Sequence, residues 1–489
     1  MRRRRRHGRP GAPGSREQEA RRRTREVSRS THQDPDAPAR RFRPYPEYKD
    51  SGVEWLGEIP RHWEIRRLKS MATVQLSNVD KKTEAGQEPV RLCNYVDVYY
   101  HDEISFDLEF MRATATREQI HRFSLRRGDV LVTKDSESWS DIAVPAVVAE
   151  DLSGVLCGYH LAHIRSQREL NGRFLARLFS AVGPRDQFHV VANGITRFGL
   201  TGSAIRTGVF PVPPPGEQRA IAAFLDCETA RIDSLVAKKE RLIELLQEKR
   251  TALITRAVTR GLDPDVPMKD SGVEWLGEIP GHWDTTFLDK AVDGQRRITY
   301  GIVQPGQPEP DGIPMVRGQN YSRGWSPPED YFRVSAAIEA PYSRARLRAG
   351  DIVMTIVGAG TGNVAIVPEW LEGANITQTT ARISVDVRKC DNRYIAYLLT
   401  SVIGRASVEM TVKGAAQPGL NLGHVAKYRI VLPSVEEQRA IAAFLDRETA
   451  KIDSLIMKIC SAITLLKEYR SALISAAVTG KIDVRQELA

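Results

Sequence analysis

EQRAIAAFLDCETARIDSLVAKKERLIELLQEKRTALITRAVTRGLD runs from Glu217 to Asp263, and EQRAIAAFLDRETAKIDSLIMKICSAITLLKEYRSALISAAVTGKID runs from Glu437 to Asp483. The two stretches are near-copies 220 residues apart. A second pair keeps that offset: KDSGVEWLGEIPRHWE at 49–64 and KDSGVEWLGEIPGHWD at 269–284. A period of this length is too long for a solenoid repeat and fits a whole domain plus a connector, so the chain reads as a tandem duplication. Within the repeat, Ile232, Lys239, Leu246 and Leu253 fall seven apart, as do Leu235, Leu242, Lys249 and Arg256. The second copy has Ile452, Ile459, Leu466 and Leu473 alternating with Leu455, Ala462, Tyr469 and Ala476. Heptads without Pro or Gly predict two long helices. Asp226 or Thr229 is the expected cap of the first, Asp446 or Thr449 of the second, and Gly261 and Gly480 are the expected stops. A helix of about 28 residues spans roughly 42 Å. Lys239, Lys249 and Arg256 spoil the first seam as a self-pairing zipper, so the economical solution packs the two helices on each other. The expected seam is Ile232, Leu235, Leu242, Leu246 and Leu253 against Ile452, Leu455, Ile459, Leu466, Tyr469 and Leu473.

Between the repeats lie two blocks that differ. The first, from about Glu64, mixes β-rich runs (VRLCNYVDVYY, GDVLVTK, DIAVPAVVAE, GVLCGYHLAHIR) with one helical run, GRFLARLFSAV at 172–182. The second parallels it with GIPMVRGQNY, GDIVMTIVGAGTGNVAIVPE, NITQTTARISVD and NRYIAYLLTSVIG. Gly194 and Gly414, Gly199 and Gly419, Leu200 and Leu420, and Pro213 and Pro433 correspond at the 220 offset. The expected fold is therefore α+β: two homologous α/β domains, each followed by one long helix. The expected boundaries are an Arg-rich disordered tail at 1–44, a first domain at 45–216 and a first helix at 217–262. A connector and second domain follow at 263–436, and a second helix and C-terminal tail at 437–489.

The net charge of +10 is misplaced as a nucleic-acid signal. Residues 1–45 hold 15 Arg against 5 acidic residues, and the remaining chain, with 56 basic and 56 acidic residues, is formally neutral. A tail so rich in Arg, Pro and Gly, with no apolar period, is expected to be disordered. The five cysteines are scattered without CxxC or nearby His, which argues against zinc and disulfides and fits a reducing cytoplasm. No run of 18 apolar residues occurs, so no membrane span is expected. Chemistry is also missing: there is no GxxxxGK[ST] phosphate loop and no [ND]PP[YF] methyltransferase turn. GAGTGN at 358–363 ends where a dinucleotide fingerprint needs a third Gly and a helix, and reads instead as strand–loop–strand. No catalytic residue, bound cofactor or metal ligand is expected.

The PxYKDSGVEWLGEIPxHW opening and the EQRAIAAFLDxETAxID exit resemble those of specificity subunits of type I restriction–modification systems, and the likeness extends over nearly everything from Tyr45 onward. It implies that each unlike block is a target-recognition domain for one half of a split DNA site, with the two helices forming an intramolecular antiparallel coiled coil that serves as a ruler and relates the domains by a pseudo-two-fold. It also implies two methyltransferase subunits docked on the helices and, through them, restriction and translocase subunits. S-adenosylmethionine, ATP and Mg would belong to those partners. The outer helix faces carrying Lys238, Glu240, Glu244 and Glu248, with Arg219 and Arg439, are the expected docking surface. The alternative is a DNA-binding coiled-coil adaptor without restriction partners. Since Arg and Lys suit guanine and Asn and Gln suit adenine, the candidate DNA contacts are loop donors. In the first domain they are Arg91, Asn94, Lys134, Ser136, Ser138, Trp139, Asn193 and Arg197. In the second they are Arg317, Gln319, Asn320, Thr361, Asn363, Lys413 and Gln417.

Overall fold

The computed structural model describes residues 42–167, 169–194, 196–412 and 419–487. The expected tail lies almost wholly outside them, although Phe42 is buried edge-on against Phe224. The chain divides into two compact units, one comprising Met1–Ala237 with Ala462–Ala489 and the other Lys238–Ser461.

In the first unit a five-stranded mixed sheet has the order Ala72–Leu76, Leu161–Ser166, Val130–Thr133, Pro145–Val148, Glu103–Ile104. Its centre, VLVT and PAVV, is buried on both faces, which is why those runs are continuously apolar rather than alternating. A second sheet orders Met111–Ala115, Glu88–Cys93, Leu152–Cys157 and Ser124–Leu125. The expected helical run folds as Gly172–Ser180, capped by the Asn171 side chain. VDVYY, expected as strand, is instead part of the helix Tyr95–Tyr100. Asn94 and Asp97 form a reciprocal capping box there, and local capping overrides β-propensity.

The second unit has a four-stranded antiparallel sheet, Thr299–Tyr300, Thr380–Ile383, Ile352–Thr355, Val364–Ile366. A three-stranded sheet is built from Phe332–Val334, Ile313–Val316 and Asn375–Ile376. GAGTGN joins two antiparallel strands, as its sequence implies.

The repeated opening motif forms the same hairpin in each unit, Tyr48–Asp50 with Glu58–Pro60 and Met268–Asp270 with Glu278–Pro280. It delivers a fully buried tryptophan, Trp63 or Trp283. In the first unit Glu217 accepts from the Trp63 indole at 3.0 Å and the Tyr45 hydroxyl at 2.5 Å, and lies 2.8 Å from His62 Nε2. In the second, Glu437 lies 3.0 Å from His282, while Asp265 stands where Tyr45 would be.

The long helices run Pro215–Arg260 and Val435–Val478, 46 and 44 residues, or about 69 and 66 Å. They begin well before the expected caps. Asp226, Thr229, Asp446 and Thr449 lie inside them, because the EQRAIAAFLD run is itself helical and Pro215 is tolerated in the first turn. Asp226 and Asp446 instead receive Arg173 and Arg393 from the globular parts. Of the expected seam, Ile232, Ile452, Ile459 and Leu473 are buried, and Leu246, Leu253 and Leu466 are half-buried. In the other row Tyr469 is half-buried. Leu235, Leu242 and Leu455 are exposed, and the inner stripe uses Val236, Ile243, Arg250 and Ala257, with Ile456, Ile463, Arg470 and Ala477. Both a+3 and a+4 satisfy an apolar heptad; the arginines at the true positions hide the stripe from a hydrophobicity count. Arg250 pairs with Asp453 at 3.1 Å in the second unit, and Arg470 with Asp233 at 3.0 Å in the first.

Candidate nucleic-acid interface

In the first unit three loops meet where Asp135–Ser136 pairs with Phe198–Gly199. Leu200 N donates to Lys134 O at 2.7 Å and Lys134 N to His160 O at 3.1 Å, so the backbones at Lys134, His160 and Leu200 are tied together. The 193–199 loop turns tightly: Asn193 and Gly199 exchange backbone hydrogen bonds, and a Cβ on Gly194 (φ +146°) would sit 1.8 Å from Arg197 O. Only glycine fits there.

Asp135 sits at the hub. Its Oδ1 accepts from Arg197 at 2.7 Å and lies 2.6 Å from His160 Nδ1, and its Oδ2 accepts from Lys134 at 3.2 Å. Lys134 also stands 4.3 Å over the Tyr159 ring and is only 12% exposed, whereas Arg197 is 56% exposed. Arg197 Nη2 also lies 3.0 Å from His160 Nδ1, so one end of the guanidinium is fixed while more than half of the side chain stays exposed. The loop is braced from behind. The Tyr95 hydroxyl donates to Ser136 Oγ at 3.3 Å, Tyr99 to Asp141 at 3.3 Å, and Ser138 and Ser140 hydroxyls lie 2.7 Å apart. The half-exposed Trp139 indole meets His189 edge-on at 5.2 Å. Burial, aided by Arg185, lowers the His189 pKa.

Five of the predicted residues thus join one cluster with Asn193: Lys134, Ser136, Ser138, Trp139 and Arg197. Two do not. Arg91 bonds Ser153 O at 3.1 Å and faces the Phe106 ring, outside the cluster. Asn94 is spent on its capping box. Asp135, Tyr159, His160 and Tyr95 were not anticipated. The KD pair after GDVLVT and the GYH turn in GVLCGYHLAHIR were the available signals.

The second unit repeats the frame with other side chains. Val357 bridges Gly419, and Leu420 N donates to Ile356 O at 2.7 Å. Thr355 anchors two loops: its hydroxyl lies 2.7 Å from the Tyr321 hydroxyl behind the Gly318–Asn320 turn, and its backbone exchanges bonds with Gly362 and Asn363. Gln319, Thr361 and exposed Asn363 therefore gather there, with the Thr361 hydroxyl donating to Gly358 O. Arg317 lies 4.5 Å over the Phe332 ring. Asn320 is 3% exposed and its Oδ1 accepts from Arg317 N at 2.9 Å. It shapes the turn and cannot reach a base edge. Lys413 and Gln417 lie outside the described residues. No trio of His, Cys, Asp or Glu suited to a metal occurs among the described residues. No single helix among them is long and apolar enough to cross a membrane.

Comparison with known proteins bears on this arrangement. Residues 310–464 match the family described as type I restriction modification DNA specificity domain. The chain is 29% identical over 297 residues to the EcoBI specificity subunit of a type I restriction enzyme from Escherichia coli. That alignment covers 60% of this chain and 62% of that protein's length. A relative named the putative type I restriction enzyme MjaX specificity subunit, from Methanocaldococcus jannaschii, is 23% identical over 88% of this chain and 96% of its own. A structure described in a study of assembly and conformational transition of the type I R-M system superposes with a TM-score of 0.64 at 19% identity. It covers 87% of this chain and 99% of that one.

Proposed function

We propose that the chain is a type I restriction specificity subunit, the non-catalytic DNA-reading subunit of such a complex, with each unlike block reading one half of an interrupted site. The observation that carries the proposal is one frame with two linings: a charged cluster around Asp135 and Arg197 in one unit, and a neutral one around Thr355, Gln319 and Asn363 in the other. Protein donors at loop tips suit base edges, guanine for an arginine and adenine for a carboxamide. The remaining predicted DNA contacts, Lys413 and Gln417 included, belong to this proposal.

The domain limits follow the duplication: a tail at 1–44, readers at 45–216 and within 263–436, and helices at 217–262 and 437–489. The helices form an antiparallel coiled coil about a pseudo-two-fold, which sets the gap between half-sites. The reciprocal pairs Asp233–Arg470 and Arg250–Asp453 support this, since residues 220 apart exchange roles. In each unit, moreover, the start of one helix adjoins the end of the other: Glu217 and Gly480 both touch Trp63, and Glu437 approaches Gly261 beside Trp283. The helices dock two methyltransferase subunits, which recruit restriction subunits, in the cytoplasm. Mapping methylated positions in host genomic DNA tests the reading. An interrupted motif with two different halves is expected, and a continuous or palindromic motif would overturn it. The mass of the co-purified complex tests the stoichiometry.

A further inference from the structure

The first unit ties its globular part to both long helices through a strut that is not found among the described residues of the second unit. Arg470, on the inner stripe of the second helix, donates to Asp102 Oδ2 at 2.6 Å while its Nε lies 3.0 Å from Asp233 of the first helix. Asp102 also receives Arg177 at 3.1 Å. Arg177, from the helix Gly172–Ser180, continues to Asp226 at 3.0 Å and to the Thr229 hydroxyl at 3.2 Å. Arg173 joins Asp226 to Glu103. One loop of the reader is thus gripped by a continuous chain of charges running from helix to helix. Burial by itself would raise the Asp102 carboxyl, but Arg470 and Arg177 hold it below the usual carboxylate range, so it is ionised at neutral pH.

The counterpart positions differ for a topological reason. Asp102 and Glu103 lead into the edge strand Glu103–Ile104, which extends the first unit's sheet beyond Pro145–Val148. In the second unit's four-stranded sheet Val364–Ile366 is itself the edge. Arg250, which corresponds to Arg470, pairs with Asp453 and with no second acid among the described residues. Tyr397 stands in the place of Arg177, and its hydroxyl donates to Asp446 at 2.8 Å.

We propose, resting on the reading above, that Arg470 is a positioning residue: acting through Asp102 and touching no base, it fixes the first reader's orientation on the helices and thereby the tolerance of the complex to spacer length. One base pair more or less moves a half-site by about 3.4 Å and turns it by roughly 35°. A rigid mount rejects that displacement, and a loosened one follows part of it.

The test is competition binding by the full chain, purified with its bound partners, to duplexes carrying the mapped site at its own spacing and at one base pair longer and shorter. The wild type is expected to favour its own spacing by about tenfold or more, a difference of about 1.4 kcal/mol. Arg470→Gln and Asp102→Asn are each expected to shrink that preference severalfold while leaving affinity for the native spacing nearly unchanged. The double variant should be no worse than either single one. Arg470→Lys should keep most of the preference, and Arg250→Gln all of it. Full preference in Arg470→Gln, or equal loss on all three duplexes, overturns the proposal alone. A wild type indifferent to spacing overturns the reading on which it rests.

Discussion

Arg197 illustrates how one side chain is readied before any partner arrives. A glycine with φ +146° folds its loop, Asp135 aims its guanidinium, and more than half of its surface stays open. Replacing Arg197 with Ala is expected to weaken binding to a site whose first half is intact by about 1–3 kcal/mol, with no gain from altering the other half. Half-site competition by fluorescence anisotropy would read this, and equal loss for scrambled DNA would mean that Arg197 serves only the phosphates. Gly194→Ala should do similar damage without touching charge. Deeper in the same unit Asp129 is buried with His163 at 2.8 Å and Arg165 at 2.7 Å. Burial would raise its carboxyl, but these two partners hold it below the ordinary value. A depressed folded-state pKa means that the stabilisation is present above about pH 4 and is lost as pH falls through the folded value. Asp129→Asn, which leaves the Arg165 guanidinium without its carboxylate, should cost about 3–5 kcal/mol at pH 7 and flatten the acid limb of a denaturation series. An unchanged limb would assign acid unfolding to other carboxylates.

The long helices separate what sequence carries from what it hides. Their existence was legible because seven-residue spacing without Pro or Gly leaves few alternatives. The inner stripe was not legible, since Arg250 and Arg470 sit where an apolar residue was sought, and exposed Leu235, Leu242 and Leu455 stand one residue before Val236, Ile243 and Ile456 and fit a heptad equally well. The caps failed likewise: an Asp that resembles an N-cap was holding an arginine from a neighbouring helix. Loop candidates fared by the same rule, for Asn94 and Asn320 bear the polar groups of a base reader yet are used by their own backbone. Local hydrogen bonding of Asn can be read from Asn-x-x-Asp spacing; convergence of distant loops on Asp135 cannot. The revised seam is testable. Leu473→Ala should cost about 2–5 kcal/mol of stability, and Leu235→Ala within about 0.5 kcal/mol. Equal melting shifts for the two would restore the original row.

For the molecule as a whole, the proposed ruler makes a quantitative demand. Removing residues 239–245 together with 458–464 takes one heptad from each helix and shortens both by about 10 Å, roughly three base-pair steps. Methylation mapping should then return the same two half-sites with a narrower gap, and altered letters would show that the helices do more than set distance. A second consequence concerns time. The first unit is assembled from residues up to Ala237 and from Ala462 onward, with Asp483 N donating to Arg43 O and Lys481 donating to the carbonyls of Leu56 and Glu58. The other unit is contiguous in sequence. During synthesis at about 5–20 residues per second, the part translated first must wait for the last codons, while the part translated in the middle already holds all its own pieces. The ribosome thus releases an unfinished beginning and a finished middle, and an arrested nascent chain ending before Ala462 should be cut by protease ahead of residue 237 and resist it after.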